Sequence, residues 1–361
     1  MADNVIAPGL KPQVNISRST AGRMWLVFVC ASLAVIQSSL TDSGASLIIA
    51  ACSLCSALLA EVLITYKKSG FAQIKDGSAA ASAMVFSLLL PNQIHPAYAV
   101  LGSLFAMVVV KHSFGGLGSN WLNPSLGGFL FVRFSWPGVY NSALADSPLR
   151  IIGESLHNGN RVLEAPMKLI AMNAELPSIE TALTGSVSSF LNSTIFAWTG
   201  AELPAGYIGL LVSRSSGIIA DRGLLALLCG TIIITAFKIT RSWIPLAYLG
   251  FYGLLVFVNG DLPFEGLYFN GDILFSLLSG GTIAAAFILI SDPATGAKTQ
   301  IGILFGALCA ALLTWIFRYI HFEIYGAFFA VALVNSWTVL FRFIEGRLFY
   351  SKKTKIRGGL I

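Results

Sequence analysis

Charged residues are what this sequence has least of. Only 11% of its 361 residues are Asp, Glu, Lys or Arg, whereas 55% are hydrophobic. A soluble domain typically carries about 25% charged residues, so this chain lacks the side chains for a water-facing surface. Its apolar residues come in runs of about 17 or more, which is the length that a helix needs to cross a bilayer. The composition therefore excludes a soluble enzyme and predicts an integral membrane protein.

Residues and motifs of the common catalytic sites are also scarce. The four histidines are scattered, and all five cysteines lie in apolar runs, which argues against a disulfide framework. Cys52 and Cys55 have the spacing of metal ligands, but we interpret them as small apolar residues of a helix. The sequence contains no phosphate-binding loop, dinucleotide fingerprint or zinc spacing. We therefore predict no catalytic residue and no metal site, and any redox chemistry would come from a bound cofactor.

The apolar runs predict about ten membrane-spanning helices. They are too long and too uniformly apolar for the alternating strands of a membrane barrel, and a helix satisfies its own backbone hydrogen bonds in lipid. The predicted spans are 24–40, 44–66, 78–90, 96–111, 124–140, 223–239, 243–258, 272–290, 300–320 and 327–344.

Basic residues orient these predicted helices. With the N-terminus in the cytoplasm, most of the 23 lysines and arginines fall on the cytoplasmic side, as membrane insertion favours. The net charge of +6 is for this reason not interpreted as nucleic-acid binding. The predicted organisation is a cytoplasmic tail (1–22), a first five-helix half (23–140), a long outside connector (141–222), a second five-helix half (223–345) and a basic cytoplasmic tail (346–361).

A weak internal repeat relates the two halves. When Pro91 is aligned with Pro293, residues 79–90 face residues 281–292, and both segments are short, rich in small residues and ended by proline. Each is the third predicted helix of its half. Five helices per half in opposite orientations predict a 5+5 inverted repeat, and short interrupted helices at matching positions point to a site near the bilayer midplane.

The segment 114–124 (FGGLGSNWLNP) is the most unusual stretch of the chain. Its three glycines allow tight turns and close approach to a ligand. Asn123 and Pro124 suit the first turn of a helix, and Asn120 precedes them. A tight turn at the membrane edge and a ligand-binding loop are both compatible with this pattern.

Two aspartates mark the ends of the short third and eighth helices. Asp76 begins the third helix, and Asp292 ends the eighth. A carboxylate in a membrane is costly and is a functional candidate by default, yet either residue could also cap a helix in the cytoplasm. Arg133, inside the fifth run, is interpreted as structural, with its charge reaching the membrane surface. The candidates for an ion path are Asp76, Asn120, Asn123, Asp292 and Thr295.

Four segments, in chain order, carry a family resemblance. They are DGSAAASAMVFSLLLP (76–91), FGGLGSNWLNPS (114–125), RSWIPLAYL (241–249) and SGGTIAAAFILISDPAT (279–295). The second resembles FGGLG-x-N-x-x-NPA, and the fourth resembles SGGT-x-x-x-AFF-x-x-TDPVT. These motifs are typical of the D subunit of Rnf electron-transport complexes and of the related B subunit of sodium-translocating NADH:quinone oxidoreductase. The resemblance covers roughly residues 20 to 345.

The resemblance implies both a fold and a function. The fold would be a ten-helix inverted repeat shared with urea transporters. The function would be that of a membrane subunit in an Rnf-type complex, which passes electrons between ferredoxin and NAD and moves Na⁺ or H⁺ across the bacterial cell (inner) membrane. Its partners would be the other subunits of that complex. The family carries FMN, esterified through phosphate to a threonine in the motif D-x-x-[S/T]-G-A-T, and a non-covalent riboflavin.

The sequence departs from the family at the FMN motif. Residues 181–187 (TALTGSV) occupy its place, with Thr181 in place of the acid and Val187 in place of the flavin-bearing threonine. Valine has no hydroxyl and cannot form the ester, so covalent attachment stays open. A second flavin-facing segment corresponds to residues 217–221, where Asp221 keeps the acid. The cofactor-binding candidates are Thr184, Ser186, Ser188 and Asp221.

Two other functions are compatible with this divergence. One is a channel or transporter for a small polar solute on the urea-transporter-like fold, and the other is a scaffold subunit without a cofactor. A channel has little use for a long outside connector, whereas such a connector suits a flavin carrier or a docking subunit. The subunit of a redox-driven ion pump is therefore the leading hypothesis.

Overall fold

The computed structural model describes residues 19–69, 74–116, 118–144, 182–198, 207–212, 217–259, 268–269, 271–297, 299–321 and 323–358. Within these ranges all regular structure is helical, and one isolated antiparallel bridge joins Pro91 to Ile218. The all-helical class predicted from the sequence is therefore confirmed for the described part of the chain. Much of the predicted connector and the first 18 residues lie outside it.

The first half contains six helices, several of which start at a residue suited to a helix N-terminus. Ser19 Oγ accepts from Gly22 N, and prolines occupy the first turn of three helices. The helices are α1 (Thr20–Thr41), α2 (Ala45–Ser69), α3 (Ser78–Leu88), α4 (Pro96–Phe105), α5 (Pro124–Ser135) and α6 (Pro137–Ser142). A 3₁₀ turn (Ile74–Asp76) precedes α3, and a π-helical turn (Ala106–His112) continues α4.

Three short helices and one 3₁₀ turn (Phe196–Trp198) are described between the halves, and six helices follow in the second half. The former are α7 (Ala182–Thr194), α8 (Tyr207–Leu211) and α9 (Ile219–Arg222). The latter are α10 (Leu224–Ala236), α11 (Trp243–Asn259), α12 (Ile273–Leu278), α13 (Thr282–Ala284), α14 (Gln300–Trp315) and α15 (Gly326–Gly358). Two π-helical turns continue α13 (Ala285–Leu289) and α14 (Ile316–Ile320).

Every predicted span contains at least one of these helices. Four segments are long and apolar enough to cross a membrane: Thr20–Thr41, Ala45–Tyr66, Gln300–Ile320 and Gly326–Arg347. Leu63 and Ile301 on their outer faces are exposed by 79% and 83%, as lipid-facing side chains would be. The protein is a multi-pass membrane protein. The number of ten spans, the inverted repeat and the division into domains stay predictions.

A left-handed glycine precedes α3, and another precedes α13 inside the eighth predicted span. Gly77 precedes α3 with φ of 70°, and Gly281 precedes α13 with φ of 68°, a left-handed conformation that strains other residues. A Cβ on Gly281 would also lie 2.3 Å from the ring of Phe328. The sequence alignment pairs Gly281 with Ala79. Pairing Gly281 with Gly77 instead shifts the alignment by two residues.

Aromatic side chains from both halves meet in the main core. Phe129 of α5 packs edge-on against Phe328 of α15, with 5.2 Å between the ring centroids. Near the end of α3, Asn92 N donates to Gly217 O at 3.0 Å, and Ile219 N donates to Leu90 O at 3.0 Å. These contacts join the first half to α15 and to the end of the connector.

Candidate functional site

A polar contact between the two halves centres on Asp292. Its Oδ2 accepts from Asn123 Nδ2 at 3.1 Å, across 169 positions of sequence, and from Thr295 Oγ1 at 3.4 Å. Its Oδ1 accepts from Ala294 N at 3.0 Å. Asn123 is the N-cap of α5, and its Oδ1 accepts from Ser125 N at 3.0 Å. Three of the five residues predicted for an ion path are therefore in direct contact.

The loop after Asp292 is held in place by α15. The guanidinium of Arg342 donates to Ala294 O at 2.5 Å and to Gly296 O at 2.7 Å. Thr295 is buried, whereas Asp292 is partly exposed. Arg342 of α15 thus fixes the loop that carries the Asp292 carboxylate.

Asp292 lines a cavity of about 100 Å³ between the halves. The charged residues of its lining are Arg23, Lys111 and Asp292. Its other polar residues are Ser78, Ser82, Asn120, Asn123, Ser125 and Thr240, and its apolar lining comes from α1, α3, α10 and the π turn after α13. A space of this size holds a few water molecules or one hydrated cation. Both asparagines of the FGGLGSNWLNP segment therefore line a cavity rather than a simple turn at the membrane edge.

Asn120 and Asp76 have mainly structural contacts. The amide of Asn120, oriented so that its nitrogen donates, reaches Gly116 O at 3.0 Å and Lys111 O at 3.1 Å. Asp76 Oδ1 accepts from Ser78 N at 2.7 Å, so it caps α3. Among the described residues, Asp76 does not line the cavity, although Ser78 does. Its part in an ion path stays a prediction.

Comparison with known proteins agrees with the motifs. The family described as NQR2, RnfD, RnfE matches residues 9–349. The chain belongs to this family. It is 25% identical over 339 residues to the D subunit of the proton-translocating ferredoxin:NAD(+) oxidoreductase complex of Clostridium ljungdahlii, covering 93% of each chain. It is 29% identical over 346 residues to the D subunit of the ion-translocating oxidoreductase complex of Vibrio vulnificus, and 28% identical over 338 residues to the protein of that name from Escherichia coli O17:K52:H18. These two matches cover 90% of this chain and 93% and 92% of the relatives.

The family's FMN motif falls on α7. Val187 is 44% exposed and Ser186 is exposed, whereas Ser188 is buried. The side chain of Thr184 lies outside the described residues. Attachment of FMN to any of these hydroxyls stays a prediction.

Asp221, the other residue that the NQR2, RnfD, RnfE resemblance assigned to flavin, contacts the interrupted eighth span. Its carboxylate accepts from Gly281 N at 2.8 Å and from Gly280 N at 3.2 Å. Desolvation raises the pKa of Asp221 to about 6, against the lowering effect of these N–H groups and of Arg318. Both carboxylate oxygens of Asp221 therefore bind backbone N–H groups at the break before α13. Flavin binding by Asp221 stays a prediction.

Arg133 has the contacts of a structural residue, whereas the reach of its charge to the membrane surface and the interpretation of the cysteine pair stay predictions. Arg133 pairs with Glu323 at 3.2 Å and lies over the ring of Tyr140, 5.3 Å from its centroid. Cys52 and Cys55 are free thiols. No group of three or more His, Cys, Asp or Glu residues suited to a metal occurs in the described part of the chain.

Two clusters around charged residues were missed from the sequence. Lys111 pairs with Glu61 of α2 at 2.9 Å, and Arg318 lies beside the break before α13. From the sequence, Lys111 and Arg318 count only as signals of orientation. The signal that could have found them is an ionisable residue inside or at the end of an apolar run, which in a membrane needs a partner.

Proposed function

We propose that this chain is the D-type membrane subunit of an Rnf-type complex, in which electron transfer between ferredoxin and NAD drives Na⁺ or H⁺ across the bacterial cell membrane. Membership of the NQR2, RnfD, RnfE family and the names of the relatives support this proposal. The other subunits of such a complex would be its partners. The chain would then be part of an enzyme complex, without a complete active site of its own.

The observation that carries the proposal is the contact of Asn123 with Asp292 beside the cavity between the halves. Transporters built from repeats bind their ions near the midplane, at the repeat interface, beside interrupted helices. Here the carboxylate follows an interrupted segment, and its partner is supplied by the other half. A cation in this cavity would neutralise Asp292 and would be bound by oxygens from both halves.

A matched pair of structural features supports an inverted repeat of ten spans with both termini in the cytoplasm. In each half a left-handed glycine precedes a helix of the third span. Gly77 lies directly before the third span of the first half, and Gly281 lies inside that of the second half. In each half the fourth span ends in a π-helical turn that carries a cation, Lys111 or Arg318. These cations donate to the residue that follows the glycine, Ser78 Oγ at 2.8 Å and Thr282 Oγ1 at 3.1 Å.

Replacing Asp292 by asparagine tests the ion path. The amide preserves the shape but removes the negative charge that would offset a cation in a low-dielectric site, so we expect Asp292→Asn to lower ion movement per electron roughly tenfold or more. Ion movement and electron transfer are measured together on the whole complex in proteoliposomes.

The matched control is Asp272→Asn at the opposite end of the same interrupted segment. Asp272 caps α12 by accepting from Phe275 N at 3.0 Å, and asparagine caps helices equally well. Normal pumping by Asp292→Asn would sink the proposed role of this carboxylate.

Flavin attachment is tested on the denatured chain. Val187 lacks a hydroxyl, and of the two serines a flavin transferase could reach the exposed Ser186 more easily than the buried Ser188. Thr184 is the third candidate. We expect a fluorescent band after co-expression with the transferase, and one FMN-phosphate adduct by mass spectrometry of the 174–199 region. The adduct should disappear in Ser186→Ala and persist in Ser188→Ala. A dark wild-type band would exclude covalent FMN, and the absorbance spectrum of the native protein would then test for bound riboflavin.

A further inference from the structure

Glu61, Lys111 and His112 form a cluster that the proposed function does not yet use. The ammonium of Lys111 donates to both carboxylate oxygens of Glu61, at 3.0 and 2.9 Å, and to Ser78 Oγ. His112 Nε2 lies 2.7 Å from Glu61 Oε2. The cluster joins α2, the start of α3 and the π turn that continues α4.

The burial of this ion pair needs a reason other than stability. The side chains of Glu61 and Lys111 are only 1% and 3% exposed. Desolvation of two charges offsets most of their attraction, and apolar side chains of the same volume would stabilise the fold as well or better. Intramembrane ionisable residues are therefore functional candidates.

The cluster connects the surface with the cavity at Asp292. His112 is 13% exposed, so its ring reaches the protein surface. At the other end, Lys111 and Ser78 line the same cavity as Asn123 and Asp292. A continuous chain of hydrogen bonds therefore runs from a surface imidazole through Glu61 to an ammonium in the cavity.

The equivalent position of the second half shows a different chemistry. Arg318 donates to Tyr252 Oη at 2.9 Å, Ser276 O at 2.7 Å and Ser279 Oγ at 2.8 Å. A guanidinium keeps its proton in proteins, whereas the ammonium of a lysine can lose one. Of these two cation sites, the one at Lys111 is built from groups that can all exchange protons.

We propose that His112, Glu61 and Lys111 form a proton relay between the surface and the cavity at Asp292. This proposal rests on the proposed function, and it adds that protons reach the cavity at Asp292. His112 Nδ1 takes a proton from water while its Nε2–H passes to Glu61. A neutral Glu61 leaves the buried ammonium without a counter-charge, which favours release of a proton from Lys111 Nζ to a water molecule in the cavity.

The relay returns to its starting state without any other reactant. The proton on Glu61 passes to the lone pair of Lys111 Nζ, which restores the ion pair. The imidazole of His112 then releases its Nδ1 proton to water and takes one proton from water at Nε2, so it returns to its first tautomer with no net change in protons. One proton has then entered at His112 and one has left into the cavity. The other charged groups near this path are Arg23 and Asp292, which line the cavity, and Asp76, which caps α3.

The test uses the whole complex in proteoliposomes, with an internal pH-sensitive dye and a parallel assay of electron transfer. Glu61→Gln removes the proton acceptor, and Lys111→Arg keeps the positive charge but removes proton release. We expect both to lower proton movement per electron roughly tenfold or more. Ser53→Ala is the matched control, because this buried hydroxyl of α2 donates only to its own helix, at Ile49 O. Co-purification of the partner subunits verifies folding.

Three outcomes would overturn the relay. Normal proton movement in Lys111→Arg would mean that only a fixed charge is needed there. Sodium movement without proton movement in the wild type would exclude the relay and leave the proposed function standing. The third is measured without pumping, in infrared difference spectra of the complex across a pH step. A protonated-carboxyl band that is present in the wild type and absent from Glu61→Gln supports the relay, even if the complex moves no ion. Identical spectra of the wild type and Glu61→Gln contradict the relay.

Discussion

At the scale of single residues, two charged side chains hold the break in the eighth predicted span. Arg318 donates to carbonyl and hydroxyl groups at the break between α12 and α13, and Asp221 accepts from the two glycines of the same break. Backbone groups at such a break have no intrahelical partner, and lipid offers them none. The two charged side chains supply the missing donors and acceptors.

Removal of Arg318 should therefore destabilise the fold. Arg318→Met leaves several enclosed acceptors without a donor, and we expect a loss of about 3 kcal/mol in the free energy of unfolding. Arg318→Lys should lose roughly half as much, because three hydrogens on one nitrogen cannot reach both groups of acceptors. Unfolding in a single detergent measures the difference.

Arg347→Met is the control for this series. Arg347 is exposed and lies over the ring of Phe343, 4.7 Å from its centroid, so its loss should change stability little. If Arg318→Met were no less stable than Arg347→Met, the bonds of Arg318 would not be holding the break.

The sequence predicted part of the candidate site for a physical reason. Asn123 stands at a helix start beside proline, and Asp292 ends an apolar run, so both could be found locally. The pairing of Lys111 with Glu61 across 50 positions depends on how α2 packs against α4, which no local pattern shows. Glu61 alone, as an acid inside an apolar run, was a signal that could have been followed.

At the scale of elements, small residues and proline predicted a short third helix in each half, but the sequence did not predict how helices end. The run 124–140 contains two helices, since Pro137 starts a new helix after Trp136 leaves the helical conformation. The π-helical turns after α4, α13 and α14 have no sequence signal comparable to proline or glycine. One of them turns both Lys111 and His112 toward Glu61.

Close packing between two helices likewise depends on which helix lies opposite, as well as on small residues in the sequence. A Cβ on Gly223, at the start of α10, would lie 2.2 Å from the backbone oxygen of Ala34 in α1. Small residues allow such approach in membranes, but their position does not name the partner helix. The contact of α1 with α10 joins the first helix of one half to the first of the other, and only the structure shows it.

At the scale of the whole molecule, the proposed topology depends most on the fifth span. At about 1.5 Å per residue, α5 and α6 are roughly 18 and 9 Å long, which together come close to the thickness of the hydrocarbon core. Ser113 lies before this pair of helices and Ser193 lies on α7 after it, and both side chains are exposed. If α5 and α6 cross the bilayer together, these two serines lie on opposite sides.

Single cysteines at these two positions test the crossing. In a chain whose five cysteines are replaced, a membrane-impermeant maleimide added to intact spheroplasts should label Ser193→Cys and leave Ser113→Cys unlabelled until the membrane is opened. This pattern would place the FMN motif of α7 outside and the cluster of Glu61, Lys111 and His112 at the cytoplasmic end. Labelling of both positions from the same side would remove the fifth span, and with it the equal division into five and five. The contact of Asn123 with Asp292 would remain, but it could no longer be interpreted as the interface of an inverted repeat.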